Sequence, residues 1–283
     1  NDAQNWQIDL GKISLDNIGQ ISLFNAQPSN VLQPARAFSY ASVLELKTMQ
    51  PAFADSERIK LDVSFKTGSF GLVNPAVTLH YKWNDKLYSS LNAEWERANG
   101  QYNFTYKNGS VTERGKRTNA DINAFHAAYN MRYAVNDNNV VSMDLYYYHS
   151  QRGLPGAIIF YTEQGTQRQW DDNFFAQAAW KKKFSQKSEL LVSGKYNYSY
   201  YNYLNTTYPA TSPLRQNIFR QNELYISGAY SYQLFSYVKM AYASDFFTDK
   251  LSGNQAGFAT PTRNTFLNNV SAQLLFPKLQ IDG

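Results

Sequence analysis

From Glu57 onward the sequence alternates with a period of two, and the connections between its strands alternate as well, a tight polar turn at one end and a long irregular loop at the other. In the first such segment Ile59, Leu61, Val63 and Phe65 share one face, while Lys60, Asp62, Ser64 and Lys66 share the other. Val77, Leu79, Tyr81 and Trp83 repeat the pattern, and after the turn Asn84-Asp85 so do Leu87, Leu91, Ala93 and Trp95. A sheet whose two ends carry such unequal connections fits a barrel that crosses a membrane, with short turns on the periplasmic side and long loops outside.

Extending the period along the chain gives ten strands, the later ones at 125–133, 141–147, 174–184, 190–200, 224–232, 238–242 and 270–276. Short connections fall near 84–86, 135–139, 185–188 and 233–236. Long ones fall near 98–120, 150–172, 203–219 and 248–263, with a modest one at 68–75. The expected fold is all-β, a transmembrane antiparallel β-barrel in the bacterial outer membrane, surrounded by lipid and lipopolysaccharide. No run approaches the roughly 20 apolar residues of a spanning helix. The negative mean hydropathy is compatible with a barrel, because only alternate residues meet lipid. The aromatic content, 22 Tyr, 18 Phe and 5 Trp, is what two interfacial girdles need. Trp83, Tyr133 and Tyr232 stand beside short turns, whereas Trp95, Tyr147 and Phe174 stand beside long loops.

With no cysteine the chain has no disulfide framework and no thiolate metal site. Its net charge of +5 is spread thinly, and nucleic acid is not an expected partner. The dense basic runs, Lys181–Lys183 and Arg114–Arg117, suit anionic lipid or lipopolysaccharide as well as solvent. His80, His126 and His149 lie on separate strands without metal-ligand spacing and read as polar lining. No catalytic residue is expected, which weighs against the main enzymatic alternative, a ten-stranded outer-membrane hydrolase. Such a barrel fills its lumen with its own side chains and leaves no room for the N-terminal segment. A passive porin fits poorly with bulky inward residues such as Tyr88, Phe175 and Tyr225.

Residues 1–55 read as a separate unit, with short strands expected at Gln7–Leu10, Ile18–Asn25 and Ala41–Thr48 between turn formers Pro28, Asn30 and Pro34. Strict alternation makes the first barrel strand rise from the periplasm, so this unit belongs at the periplasmic end or inside the lumen. Ile21-Ser22-Leu23-Phe24-Asn25-Ala26-Gln27-Pro28, then Gln33-Pro34-Ala35-Arg36-Ala37 and Ala41–Thr48, resemble the end of the plug domain of TonB-dependent outer-membrane receptors. The wording is similar to the Bacteroidota branch, as is Arg152-Gly153-Leu154-Pro155-Gly156 in a long loop. The resemblance implies residues 1–55 as the C-terminal part of a plug and residues 56–283 as the N-terminal part of a larger barrel of 22 strands, the remainder being supplied elsewhere. It also implies energised uptake of a scarce large solute, with the TonB-ExbB-ExbD complex as partner and a surface lipoprotein as a further one. Vitamin B12 or another corrinoid is the leading cargo, ahead of a ferric siderophore or haem.

Cargo contact is expected at aromatic loop residues: Phe160, Tyr161 and Trp170 in one long loop, Tyr201, Tyr203, Tyr208 and Phe219 around the next. Arg36 is expected between plug and wall, paired with inward Glu94 or Glu96. Asp171, Asp172, Asp245 and Asp249 are hard-oxygen candidates for a loop-ordering calcium ion, and no other cofactor is expected.

Overall fold

The computed structural model describes residues 10–25, 30–157, 165–276 and 279–282. Its main sheet runs in the order β15-β14-β13-β12-β11-β10-β9-β8-β5-β4-β3, so that sequence neighbours pair antiparallel along its whole width. Ten of these strands are long: β3 (Ile59–Gly68), β4 (Leu72–Asn84), β5 (Leu87–Ala98), β8 (Ile122–Asn136), β9 (Asn139–Leu154), β10 (Gln167–Lys183), β11 (Ser188–Asn205), β12 (Gln216–Phe235), β13 (Val238–Gly253) and β14 (Thr262–Phe276). They are the ten expected from the period. A four-residue strand, β15 (Leu279–Asp282), adds to the edge, and the sheet is not closed within the described residues.

The short turns are fixed locally. Asn84 Oδ1 accepts the N–H groups of Lys86 and Leu87 at 2.8 and 2.9 Å, Asn136 Oδ1 accepts that of Asn138, and Ser185 Oγ accepts that of Lys187. These side chains stand in for backbone turn partners, which is why two or three polar residues reverse the chain.

Burial is inverted relative to a water-soluble sheet. Leu61 is 60% and Val63 72% exposed, with Leu79, Leu91, Ile226, Phe246 and Phe266 also outward. The opposite face buries Asn74, Thr78, His80, Ser90, Asn92, His126, Ser227 and Ser231. Moving a Val, Leu or Phe side chain out of water gains about 2 kcal/mol. The outward residues of β3 alone would therefore forfeit on the order of 8 kcal/mol against water, as much as the whole stability of a typical domain. Lipid on that face removes the conflict.

Strands extend well past the expected ends on the long-loop side. There both faces carry polar residues, so apolar alternation fades while the ladder continues: Asp171↔Tyr201 and Tyr201↔Phe219 are still paired. The connection expected as a loop at 98–120 contains its own hairpin, β6 (Tyr102–Asn108) with β7 (Val111–Arg117), separate from the main sheet.

Within the N-terminal unit, β1 (Ile18–Asn25) pairs antiparallel with β2 (Ser42–Thr48). Short 3-10 turns occupy Leu10–Lys12 and Ala35–Phe38. Most of the strand expected at Gln7–Leu10 lies outside the described residues, and Leu10 itself belongs to the first turn.

Candidate functional site

Among the described residues the N-terminal unit lies on the polar face of the sheet and is bonded to it at several places. Lys12 Nζ reaches Asp171 of β10 at 2.9 Å. Asp16 accepts from Lys66 Nζ of β3 at 2.7 Å and from Ser64 Oγ. Asn17 donates to Asn130 of β8 at 2.7 Å and to Ser90 of β5. The fourth place, around Ala35 and Arg36, is the most elaborate.

There Asp245 of β13, only 1% exposed, accepts the backbone N–H groups of Ala35 and Arg36 at 3.1 and 2.8 Å, and the Tyr225 hydroxyl at 2.9 Å. Three donors thus satisfy a carboxylate that the fold removes from water. The Arg36 guanidinium lies 3.7 Å from the centre of the Tyr225 ring and 3.9 Å from Glu223. Leu32 and Ala35 pack on Ala229 and Ala243, small wall residues that let the turn approach, with Leu191 and Leu267 alongside.

Arg36 thus takes the interfacial place expected of it with different partners. Glu94 instead accepts from Asn74 at 2.9 Å, and Glu96 shares its face of β5. The physical reason is placement: the Ala35–Phe38 turn rests on β13 and β14 and reaches β12 through the Arg36 side chain, away from β5.

The four aspartates do not converge. Asp171, 1% exposed, faces inward and also meets Gln169 Nε2 at 2.7 Å and Arg152 at 3.4 Å. Its neighbour Asp172 faces outward, beside His149 Nδ1 at 2.7 Å and the Tyr147 hydroxyl at 3.3 Å. Asp245 is taken by the Ala35–Phe38 turn, and Asp249 pairs with Arg263 at 2.9 Å. Among the described residues no group of three or more acidic or histidine side chains is close enough to hold a metal. Consecutive strand residues point to opposite faces, which is what separates Asp171 from Asp172.

Aromatic residues at the long-loop end sort in the same way. Tyr201 and Phe219 face inward with ring centres 6.5 Å apart, and Phe258, unnoticed in the sequence, packs on Phe219 at 5.8 Å. Tyr203 is on the same face of β11, and Tyr208 is exposed in the following loop. Trp170 shares the outward face of Phe174 and Trp180, so it does not border the lumen. Phe160 and Tyr161 lie outside the described residues. The Lys181–Lys183 run sits by the short-turn end: Lys181 and Lys183 flank Glu189, while Lys182 lies over the Trp180 and Phe184 rings.

An inverted antiparallel sheet with a small unit held on its polar face has clear counterparts among solved structures. The ferric enterobactin receptor PfeA of Pseudomonas aeruginosa superposes with a TM-score of 0.64 over 97% of this chain and 44% of its own, at 11% identity. This chain has the fold of part of a TonB-dependent outer-membrane receptor. The copper transporter OprC gives a TM-score of 0.61 at 9% identity, covering 91% of this chain and 40% of its own. The siderophore receptor PiuA of Acinetobacter baumannii gives 0.59 at 9% identity, covering 92% and 44%. The chain therefore spans about two-fifths of the receptors whose fold it shares. No protein-family model matches the sequence, and no curated protein matches it significantly. The outward apolar face of this sheet is that of an outer-membrane β-barrel wall.

Proposed function

We propose that this chain is the plug end and first wall segment of a TonB-dependent transporter that imports a large metal chelate across the outer membrane. The observation that carries this reading is the plug contact itself. Lys12, Asp16, Asn17, Ala35 and Arg36 are held by directional polar bonds, with only a small apolar patch at Leu32 and Ala35. Such bonds hold a plug in place at rest and fail in sequence when one end is pulled, without extracting a large hydrophobic core. The TonB-ExbB-ExbD complex is the corresponding source of force.

Cargo would enter over Tyr201, Phe219 and Phe258, whose inward rings offer a stacking wall beside the Lys12–Asp171 contact. Flat or aromatic-rich chelates suit such a wall: a corrinoid is the first choice, a ferric siderophore or haem the second. Proteins of this fold described as receptors for ferric enterobactin and other siderophores, and as a copper transporter, support metal-linked cargo.

Uptake of labelled cyanocobalamin and of a labelled ferric siderophore by cells carrying the complete receptor tests the proposal. One of the two should accumulate only while TonB is functional. Equal accumulation without TonB would overturn energised transport, and retention of neither would overturn the choice of cargo.

A further inference from the structure

The seam between the N-terminal unit and β5 holds a set of oxygen atoms that the protein leaves unsatisfied. Ser14 Oγ and Asn17 Oδ1 on one side, and Asn92 Oδ1 and Glu94 Oε2 on the other, find no hydrogen-bond partner among the described residues. All four side chains are more than nine-tenths buried, and Asn92 is fully enclosed. A buried polar atom without a partner costs about 1–3 kcal/mol, so four in one native interface call for a bound species.

Topology gathers them. Asn92 and Glu94 are alternate residues of β5 and share its inward face. Asn17 meets the same strand at Ser90, two positions before Asn92, and Ser14 lies three residues before Asn17. Neighbouring groups hold these side chains by their other atoms. Asn92 Nδ2 donates to Thr78 Oγ1 at 2.7 Å, and Asn17 Nδ2 donates to Asn130 Oδ1 at 2.7 Å. Glu94 Oε1 accepts from Asn74 Nδ2 at 2.9 Å. Oxygens oriented by such outer hydrogen bonds are typical of metal ligands.

Charge decides between water and a cation. Glu94 and Glu96 share the inward face of β5, and neither forms an ion pair among the described residues. Lys66, whose charge reaches both, is already bonded to Asp16 at 2.7 Å. His126 faces Glu94 across the ladder, with its Nδ1 3.3 Å from the Tyr146 hydroxyl. Carboxylates without a counter-charge are costly away from water. A water molecule supplies donors but no charge, whereas a divalent cation answers both the free lone pairs and the carboxylates. The set holds a single carboxylate among amide and hydroxyl oxygens, so no cluster of acidic side chains marks it. Such a mixed oxygen set suits calcium, which accepts roughly six to eight oxygens in flexible geometry, better than magnesium.

We infer that a calcium ion seats between Ser14, Asn17, Asn92 and Glu94 and clamps the N-terminal unit to β5, with Glu96 balancing charge from further out. The site is separate from the four aspartates that do not converge. The inference stands on the seam alone, whatever the cargo.

The complete receptor, in mild detergent at pH 8, is stripped with a calcium chelator. Calcium binding is then read by calorimetric titration, together with hydrogen exchange at residues 12–18. Calcium should bind saturably and slow exchange there. Glu94→Gln should weaken binding about tenfold, through loss of the charged ligand, and abolish the slowing. Asn92→Asp adds a carboxylate, to which the Thr78 hydroxyl can donate in return, and should tighten binding several-fold. A residue with a packing role alone would not give that gain. Heat-dependent gel mobility verifies that each variant is folded. Exchange at 12–18 that ignores calcium in the unaltered receptor would overturn the proposal and leave the seam to water. Full calcium-dependent slowing in folded Glu94→Gln would overturn it as well. Uptake is not read in this experiment, so the transport reading stands or falls separately.

Discussion

The Asp245 carboxylate accepts the backbone N–H of Arg36 at 2.8 Å, a bond between wall and plug separated by 209 positions in sequence. It places a buried carboxylate under a turn that also offers the Ala35 N–H, so the sheet recognises the backbone of the N-terminal unit as well as its side chains. Asp245→Ala removes the acceptor for three donors and should loosen the plug by about 3 kcal/mol. Limited proteolysis of the complete receptor should then cut between residues 30 and 50 at protease levels that spare the parent protein.

At the other end of the plug, Lys12 is the closest cation to buried Asp171. Lys12→Ala strands part of that charge and should cost about 2 kcal/mol of plug docking, whereas adding Asp171→Asn should return most of it. A double-mutant cycle read by chemical denaturation of the plug checks this. Additive effects would mean that the two side chains do not interact.

The mouth separates residues that sequence alone groups together. Tyr201→Ala and Phe219→Ala should each weaken cargo binding about tenfold through lost stacking. Trp170→Ala, on the opposite face, should leave it unchanged. Calorimetric titration of the purified complete receptor with each chelate distinguishes the two classes.

Arg168 beside Asp121 holds that carboxyl below its usual range. A depressed acid stabilises the folded state above its unfolded pKa, and the contribution disappears as pH falls through the lower folded value. Hydrogen-exchange protection at residues 119–121 and 153–156, measured against the unstructured chain at the same pH, should therefore hold from pH 7 to about pH 4 and fall below it. Asp121→Asn should show the reduced, low-pH protection at every pH and so lose this pH dependence.

The spanning part of the fold was legible because lipid imposes a period of two: Leu61, Leu79 and Leu91 mark their strands without help from the rest of the chain. Strand ends beyond the membrane were not legible, since Trp170 to Asp172 and Tyr201 to Tyr203 carry polar or aromatic residues on both faces. The β6–β7 hairpin did leave a signal, alternating Tyr102, Phe104 and Tyr106 before the turn Asn108-Gly109, where Gly109 has φ +63°. Arg36 was recognisable as an interfacial residue, but its partners depend on which strands the plug turn rests on, and no local pattern specifies that.

The account depends most on which face of the sheet meets lipid. The chain has no cysteine, so single substitutions carry spin labels cleanly. Labels at Leu91 and Ile226, and at their neighbours Asn92 and Ser227, can be compared in the complete receptor reconstituted in bilayers by oxygen and nickel-chelate relaxation. The account predicts strong oxygen and weak nickel access at Leu91 and Ile226, and little of either at Asn92 and Ser227. Nickel access at Leu91 and Ile226 as high as at an exposed loop label would contradict it.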